Sequence, residues 1–151
     1  MLKISPNFYW EEATVTQQRN LDNTPPLVVI PSLVMVFNEQ MEQVRELLGC
    51  PIHVNSGFRS IEVNAAVGGV SSSQHCKGQA VDWTPMKEVG LKEAYDAIVA
   101  SDIVFDQLIF EFGSWIHISR PGFGDAPRKS KLMVGKWTNG AYLPYDSSSI
   151  P

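Results

Sequence analysis

The spacing of hydrophobic positions changes along the chain, and those changes mark out its elements. Leu33, Phe37, Met41, Val44 and Leu48 recur at helical spacing, with Glu39, Glu42, Gln43 and Glu46 on the other side, which predicts one amphipathic helix. Asn23-Thr24-Pro25-Pro26 reads as its start, with Thr24 as cap and Pro25 in the first turn, where a missing N–H costs nothing. Gly49 reads as its end and Pro31 as a kink near its beginning. Ahead of it, the aromatic trio Phe8, Tyr9 and Trp10 predicts a short N-terminal element packed onto the body. Downstream, Pro51 to Asn55 predicts a strand, Ser60 to Val67 a short helix closed by Gly68-Gly69, and Val70 to Lys77 a polar loop. Gln79 to Trp83 alternates as a strand, and Lys87 to Ala100 reads as an amphipathic helix. Phe105 to Phe112 predicts a strand, turned at Gly113-Ser114 into a hairpin partner at Trp115 to Ser119, and Lys131 to Val134 a last strand. Helices lead and most strands follow without regular βαβ alternation. The expected class is therefore α+β, N-terminal helices packed on a small, mainly antiparallel sheet. The tail at 146–151 is expected to be loose.

Composition narrows the function classes. The 151 residues fit one domain, and a domain of this size buries roughly 68–70% of its unfolded surface, so it needs no disulfide or metal simply to fold. Hydrophobic residues at 44% and charged residues at 19% exclude wholesale disorder. The net charge is −4 and the longest basic cluster is Arg128, Lys129 and Lys131, too little for a nucleic-acid partner. Cys50 and Cys76 form no C-x-x-C pair, and two thiols make no disulfide framework, which favours synthesis in a reducing compartment. Met1 to Trp10 shows neither a basic nor an apolar signal region, so cytoplasmic synthesis without a signal peptide is expected. The apolar stretch Leu27 to Phe37 is broken by Pro31 and Ser32 and falls far short of a membrane span. A soluble monomer with no membrane insertion is the expectation.

Three segments carry the candidate chemistry: Ser56 to Ser60, Ser73 to Asp82, and Glu111 to His117. His75 and Asp82 are an odd number of residues apart, so on one continuous strand they would face opposite ways. Their convergence requires the loop around Gly78 to re-aim His75. Ala80 shares the face of Asp82 and leaves room beside its carboxylate, and His117 comes from a later strand. Two imidazoles and a carboxylate, with a fourth position left to water, form a catalytic zinc ligand set. Zinc so held lowers the pKa of water to about 7 and polarises a carbonyl. Glu111 is at even separation from His117, and strict alternation would turn both to one side, but the Gly113-Ser114 turn leaves that parity open. The same residues also read as ordinary structure: histidines packed or solvated, Asp82 opening a turn before Thr84-Pro85, Glu111 facing solvent. Spacing alone leaves both readings standing. The chain has no H-E-x-x-H and no G-x-S-x-G, which removes the commonest zincin and serine-hydrolase readings. His53 reads as structural, and Trp83 and Trp137 as packing.

The run S-x-H-x-x-G-x-A-x-D, formed by Ser73, His75, Gly78, Ala80 and Asp82, is followed downstream by W-x-H at Trp115 and His117. Together they resemble the zinc D-Ala-D-Ala carboxypeptidase family, which also includes D,D-dipeptidases and phage peptidoglycan endopeptidases. Asp22 to Pro26, Ser56 to Ser60 and Val63 to Gly69 are similar to its compact branch from phages and prophages. The resemblance runs over about 8–119. It implies the hedgehog/DD-peptidase fold and a single catalytic domain over 1–151, since about 30 further residues cannot form a second one. It implies Zn2+ bound by His75, Asp82 and His117, Arg59 stabilising an oxyanion, and Glu111 as general base. Ser73 is expected to support substrate or the ligand loop, and Trp115 to line the cleft. In the dipeptidase branch the catalytic Glu stands three residues before the His, where this chain has Ser114; Glu111 stands six before, with no other acid between Asp106 and His117. Cys76 is a bystander thiol, because the family uses no cysteine there.

The implied activity is zinc-dependent hydrolysis of peptidoglycan stem peptides at a bond involving a D-amino acid. The type is D-Ala-D-Ala carboxypeptidase or DD-endopeptidase, in a phage or prophage lysin released through a holin or carried on the virion. Two alternatives stand beside it. One is an L-alanyl-D-glutamate endopeptidase of the same family. The other is a non-catalytic, zinc-stabilised cell-wall-binding or virion structural module, against which the presence of both Arg59 and Glu111 argues. Substrate choice is expected to depend on loops such as Pro121 to Ser130.

Overall fold

The structure is a computed structural model that describes residues 1–86 and 88–151. Strands β1 (Lys3–Ser5) and β2 (Phe8–Tyr9) form a small hairpin that leads into a single-turn helix, α1 (Trp10–Ala13). Phe8 holds this piece down: it is buried and meets Phe37 edge-on at 5.3 Å. Glu42 ties it from the helical side, accepting hydrogen bonds from Ser5 Oγ and from the backbone and side chain of Asn7. The N-terminal aromatics thus dock as the sequence predicts.

The long helix is present but starts later and is not uniform. It comprises α2 (Ile30–Val36), a π-helical turn (Phe37–Met41) and α3 (Glu42–Leu48), closed by Gly49 in the left-handed region at φ 63°. Leu33, Phe37, Met41 and Val44 are all fully buried. The first three are spaced by four residues, and in an α-helix each such step overshoots a full turn by about 40°. The wider i→i+5 turn takes up that drift and keeps them on the core face. Thr24 does not cap this helix. Asn23 is claimed by long-range bonds, donating to the Thr14 and Phe58 carbonyls and accepting from Ser60 N–H. These override the local helix-start signal, so Pro25 and Pro26 run on in non-helical chain and Pro31 falls harmlessly in the first helical turn.

The remaining elements are β3 (Ile52–Ser56), α4 (Ile61–Ala66), a 3-10 turn (Gln74–Lys77), β4 (Ala80–Pro85), α5 (Leu91–Val99), β5 (Gln107–Glu111), β6 (Trp115–Ser119), β7 (Ser130–Val134) and the two-residue β8 (Leu143–Pro144). The helix expected from Lys87 begins at Leu91, and Lys87 itself lies outside the described residues. The main sheet runs β3-β4-β6-β5-β7-β8, antiparallel throughout except for the parallel pair β5–β7. The class is α+β, as expected, and the mixed pair together with β8 is what the sequence pattern did not supply. The tail is docked, correcting the expectation of a loose end at 146–151. Asp146 caps a turn at Ser147–Ser149, Lys92 Nζ donates to the Ser147 carbonyl, and Ile150 is buried in the main core. Among the described residues no helix is long and apolar enough to cross a membrane.

Alternation across the sheet decides where chemistry can sit. Val81, Trp83, Leu108, Phe110, Ile116, Ile118 and Met133 share one face and form the core with the helices. Asp82, His117, Ile109, Glu111 and Leu132 occupy the opposite face by the same register. His53, on the edge strand β3, is exposed rather than part of the core.

Candidate metal centre and cleft

Asp82 and His117 are direct partners across β4 and β6, so their side chains leave the same face side by side. Glu111 pairs with Trp115, two residues before His117, which puts all three on that face. The hairpin turn preserves this parity because Phe112 and Gly113 both adopt positive φ (56° and 65°) while Ser114 N–H closes back onto the Glu111 carbonyl.

His75 reaches the same point from outside the sheet. The turn at Gln74–Lys77 is capped by Ser73 Oγ, which accepts from His75 N–H at 3.2 Å, and is ended by Gly78 at φ 66°. A Cβ on Gly78 would approach Val29 Cγ1 to 2.6 Å and the Val29 carbonyl oxygen to 3.0 Å, so this corner needs glycine for space as well as for φ. This is the re-aiming that the odd separation of His75 and Asp82 demands. Ser73 acts here on the ligand turn.

The Ser56 to Ser60 segment completes the frame. Gly57 lies so close to α1 that a Cβ would strike the Ala13 carbonyl, and Phe58 N–H donates to that same carbonyl at 2.8 Å. The Gly57 carbonyl in turn accepts from His75 Nδ1 at 2.7 Å. A carbonyl can only accept, so Nδ1 carries a proton, and in the neutral ring Nε2 is the lone pair left free for a metal. Arg59 donates from Nη2 to Asp82 Oδ2 at 2.8 Å and from Nε to Ser56 Oγ at 2.9 Å.

Asp82 Oδ1 therefore faces two imidazoles, His75 Nε2 at 3.1 Å and His117 Nδ1 at 2.9 Å. One ligand atom from each of the three residues lies within 4.8 Å of the others, and all three residues are buried. A lone pair aimed at a carboxylate oxygen is repulsive unless a proton or a cation lies between them. The donor set fits a divalent metal bound by three protein ligands, and the second partner that fixes the tautomer, here the Gly57 carbonyl on His75, is what such a ligand normally has. Burial alone would raise Asp82, but with a proton on each imidazole in place of a metal the two rings outweigh it and hold its carboxyl far below the usual range. Glu111 Oε1 lies 4.0 Å from His117 Nδ1. Burial first, and the negative charge of Asp82 second, push its carboxyl up to about 7.

The trio opens into a cleft of about 470 Å3 that is also lined by Arg59, Ser73, Gln74 and Glu111. Trp115 is half-buried and packs against Phe112 at 5.4 Å, outside the cleft lining. Cys76 also lies outside it, with its thiol pushed up by burial. Gln107, Arg128, Leu132 and Tyr142 line the cleft without having been singled out from sequence as site residues. Strand parity with Glu111 would have found Gln107. Arg128 belongs to the 121–130 loop expected to wall the cleft, whereas Tyr142 gives no sequence signal.

A protein-family model described as Peptidase M15 matches residues 7–119. No curated protein matches the chain. The matched span holds His75, Asp82 and His117, the candidate ligands, with Arg59 and Glu111, while Arg128, Leu132 and Tyr142 fall beyond it.

Proposed function

The chain belongs to the M15 peptidases, and from that premise we propose that it is a zinc-dependent hydrolase of peptidoglycan stem peptides. It cuts at a bond involving a D-amino acid, as a D-Ala-D-Ala carboxypeptidase or DD-endopeptidase does. The observation that carries this reading is a buried carboxyl, Glu111, set 4.0 Å from one of three convergent metal-ligating side chains in an open cleft and raised by burial above the ordinary carboxylate range. A general base works best when its pKa lies near the operating pH. In this reading His75 Nε2, Asp82 and His117 hold the zinc, which supplies Lewis-acid polarisation of the scissile carbonyl and activation of water.

The chain's own groups do the rest. Glu111 takes a proton from the attacking water on its carboxylate and gives it to the leaving amine. Its burial beside Asp82 makes it a stronger base than an ordinary carboxylate. Arg59 is held by Asp82 and Ser56 at the cleft wall, where a fixed guanidinium offsets the charge that develops on the carbonyl oxygen. Ser73 fixes the turn that presents His75. Trp115 supports Glu111 from across the hairpin. The whole described chain acts as one catalytic domain, with β7 and β8 extending the sheet past the family-matched span. Its setting is a phage or prophage lysin that meets the wall after holin-dependent release or on the virion.

The test is mass spectrometry of purified peptidoglycan digested by the zinc-loaded protein, beside Glu111→Gln and an EDTA-treated sample. New termini that vanish in both controls support the reading, and the released masses identify the bond. A product ending at L-Ala would move the cleavage to L-alanyl-D-glutamate. Stoichiometric zinc binding with no release from any substrate would make the chain a binding module.

A further inference from the structure

The cleft has a direction, and its two ends differ in chemistry. Gln107, Ile109 and Glu111 follow one another on the site face of β5, each step about 7 Å. Ile109 lies opposite His117, so the ligand trio is at the middle. Tyr142 stands at the Glu111 end, because Leu143 pairs with Met133 and Glu111 with Val134. Arg128 stands at the other end, two residues before Ser130, the partner of Gln107.

Asp106 builds that second end. It is buried, and its carboxylate accepts from Arg128 N–H at 2.8 Å, Arg128 Nε at 3.0 Å, Arg128 Nη2 at 2.6 Å and Gln74 Nε2 at 2.9 Å. The guanidinium is thereby fixed, yet its side chain remains 57% exposed, and among the described residues Nη1 has no hydrogen-bond partner. Gln74 is oriented by the same carboxylate, which can only accept, so its amide nitrogen faces Asp106. Its Oε1 is buried without a partner, in a side chain that lines the cleft. Arg59 and Arg128 are the two Arg or Lys side chains lining the cleft among the described residues, and Arg59 is committed to Asp82 and Ser56.

We propose that Arg128, tethered like Gln74 to Asp106, forms the pocket for the substrate's C-terminal residue and binds its carboxylate through Nη1. This rests on the peptidase reading and deepens it, because it makes the enzyme a carboxypeptidase that removes one terminal residue. The lengths agree. One residue of extended chain spans about 3.5 Å, and a charge-assisted N–H to carboxylate contact adds about 3 Å. Together they match the single β5 step from the level of His117 to the level of Gln107. A longer chain on the leaving side would run into the Arg128–Asp106 pair, whereas the cleft is walled at the other end by Tyr142, which is itself exposed at 57%.

The experiment is an NMR titration of the metal-free 151-residue chain with N-acetyl-L-Lys-D-Ala-D-Ala and with its C-terminal amide, so that binding is read without turnover. The free acid is expected to bind roughly tenfold to a hundredfold more tightly than the amide, the worth of one hydrogen bond to a charged group. Arg128→Gln removes that preference while leaving the amide's affinity unchanged, and Arg128→Lys retains part of it. Thermal unfolding of each variant checks that Asp106 has kept its place. Equal affinity of the wild type for acid and amide, at any level, overturns the proposal. So does an Arg128→Gln chain that weakens both ligands alike, the sign of a merely structural role. Failure of the peptidase reading is seen separately, as a zinc-loaded chain that cuts neither peptide although the acid preference in binding persists.

Discussion

Replacing Glu111 by Gln should sharply reduce activity and, in the metal-free protein, increase stability. Glu111 is 9% exposed, and its carboxyl is displaced from the ordinary range up to about 7, by burial first and then by Asp82. A displacement of that size disfavours the ionised form by about 3 kcal/mol relative to the unfolded chain. The folded state binds the proton more tightly, so between about pH 4.5 and about pH 7 stability falls as pH rises, and above about 7 the whole cost is present. Gln is nearly isosteric and neutral at every pH. Allowing for imperfect bonding of the new amide, about 1–3 kcal/mol should return at pH 8, or roughly 3–10 °C in Tm for a domain of this size. At pH 5 the gain should nearly vanish, since the wild-type carboxyl is then protonated. Zinc should shrink it at pH 8 as well, because a neighbouring dication favours the carboxylate. Differential scanning calorimetry of both proteins at the two pH values, with EDTA and with zinc, reads all four cases. A Glu111→Gln protein no more stable than wild type at pH 8 in EDTA, or equally stabilised at pH 5, would falsify the claim that burial has tuned this carboxyl. The turnover loss expected alongside is about 10²–10⁴-fold.

Other outcomes follow from the same geometry. Zinc at about one hundred times its dissociation constant should stabilise the folded chain by about 2.7 kcal/mol; His117→Ala should erase the resulting rise in Tm, and a rise that survives would place the metal elsewhere. Gly78→Ala meets both a positive φ of 66° and Val29 Cγ1 at 2.6 Å. It should cost at least about 1–2 kcal/mol in a urea melt and weaken zinc affinity by moving His75. The Asp106 carboxyl, despite the upward push of burial, is held low by Arg128 and Gln74. Its contribution is therefore present above the ordinary carboxylate range and lost as pH falls through its depressed value. Asp106→Asn should cost about 2–4 kcal/mol at pH 7 and progressively less toward pH 2, and a loss independent of pH would contradict the ion pairing.

The parts of this molecule that were legible in its sequence are those in which one local rule decides the outcome. Alternation put Asp82 and Ala80 on one face, glycine at 78 signalled a reversed backbone, and the five-residue run at 56–60 stood out before its contacts were visible. Legibility failed where a distant partner overruled the local signal. Thr24-Pro25 has every mark of a helix start, yet Asn23 is bonded to Thr14, Phe58 and Ser60, and the helix waits until Ile30. Ile150 lies in a serine-rich end but supplies one apolar side chain to the core, enough to dock a tail that composition would leave free. The same distinction runs through the site. Parity alone left Glu111 open at the Gly113-Ser114 turn and set His75 against Asp82, and the paired strands and the turn at Gly78 resolve both. Gln74 and Arg128 are 54 positions apart in the chain and meet only through Asp106, a residue whose sequence context reads as an ordinary strand entry. The ligand set of an M15 peptidase can thus be read from its motif, while the pocket proposed for the substrate's terminal residue rests on a contact that only the folded structure brings together.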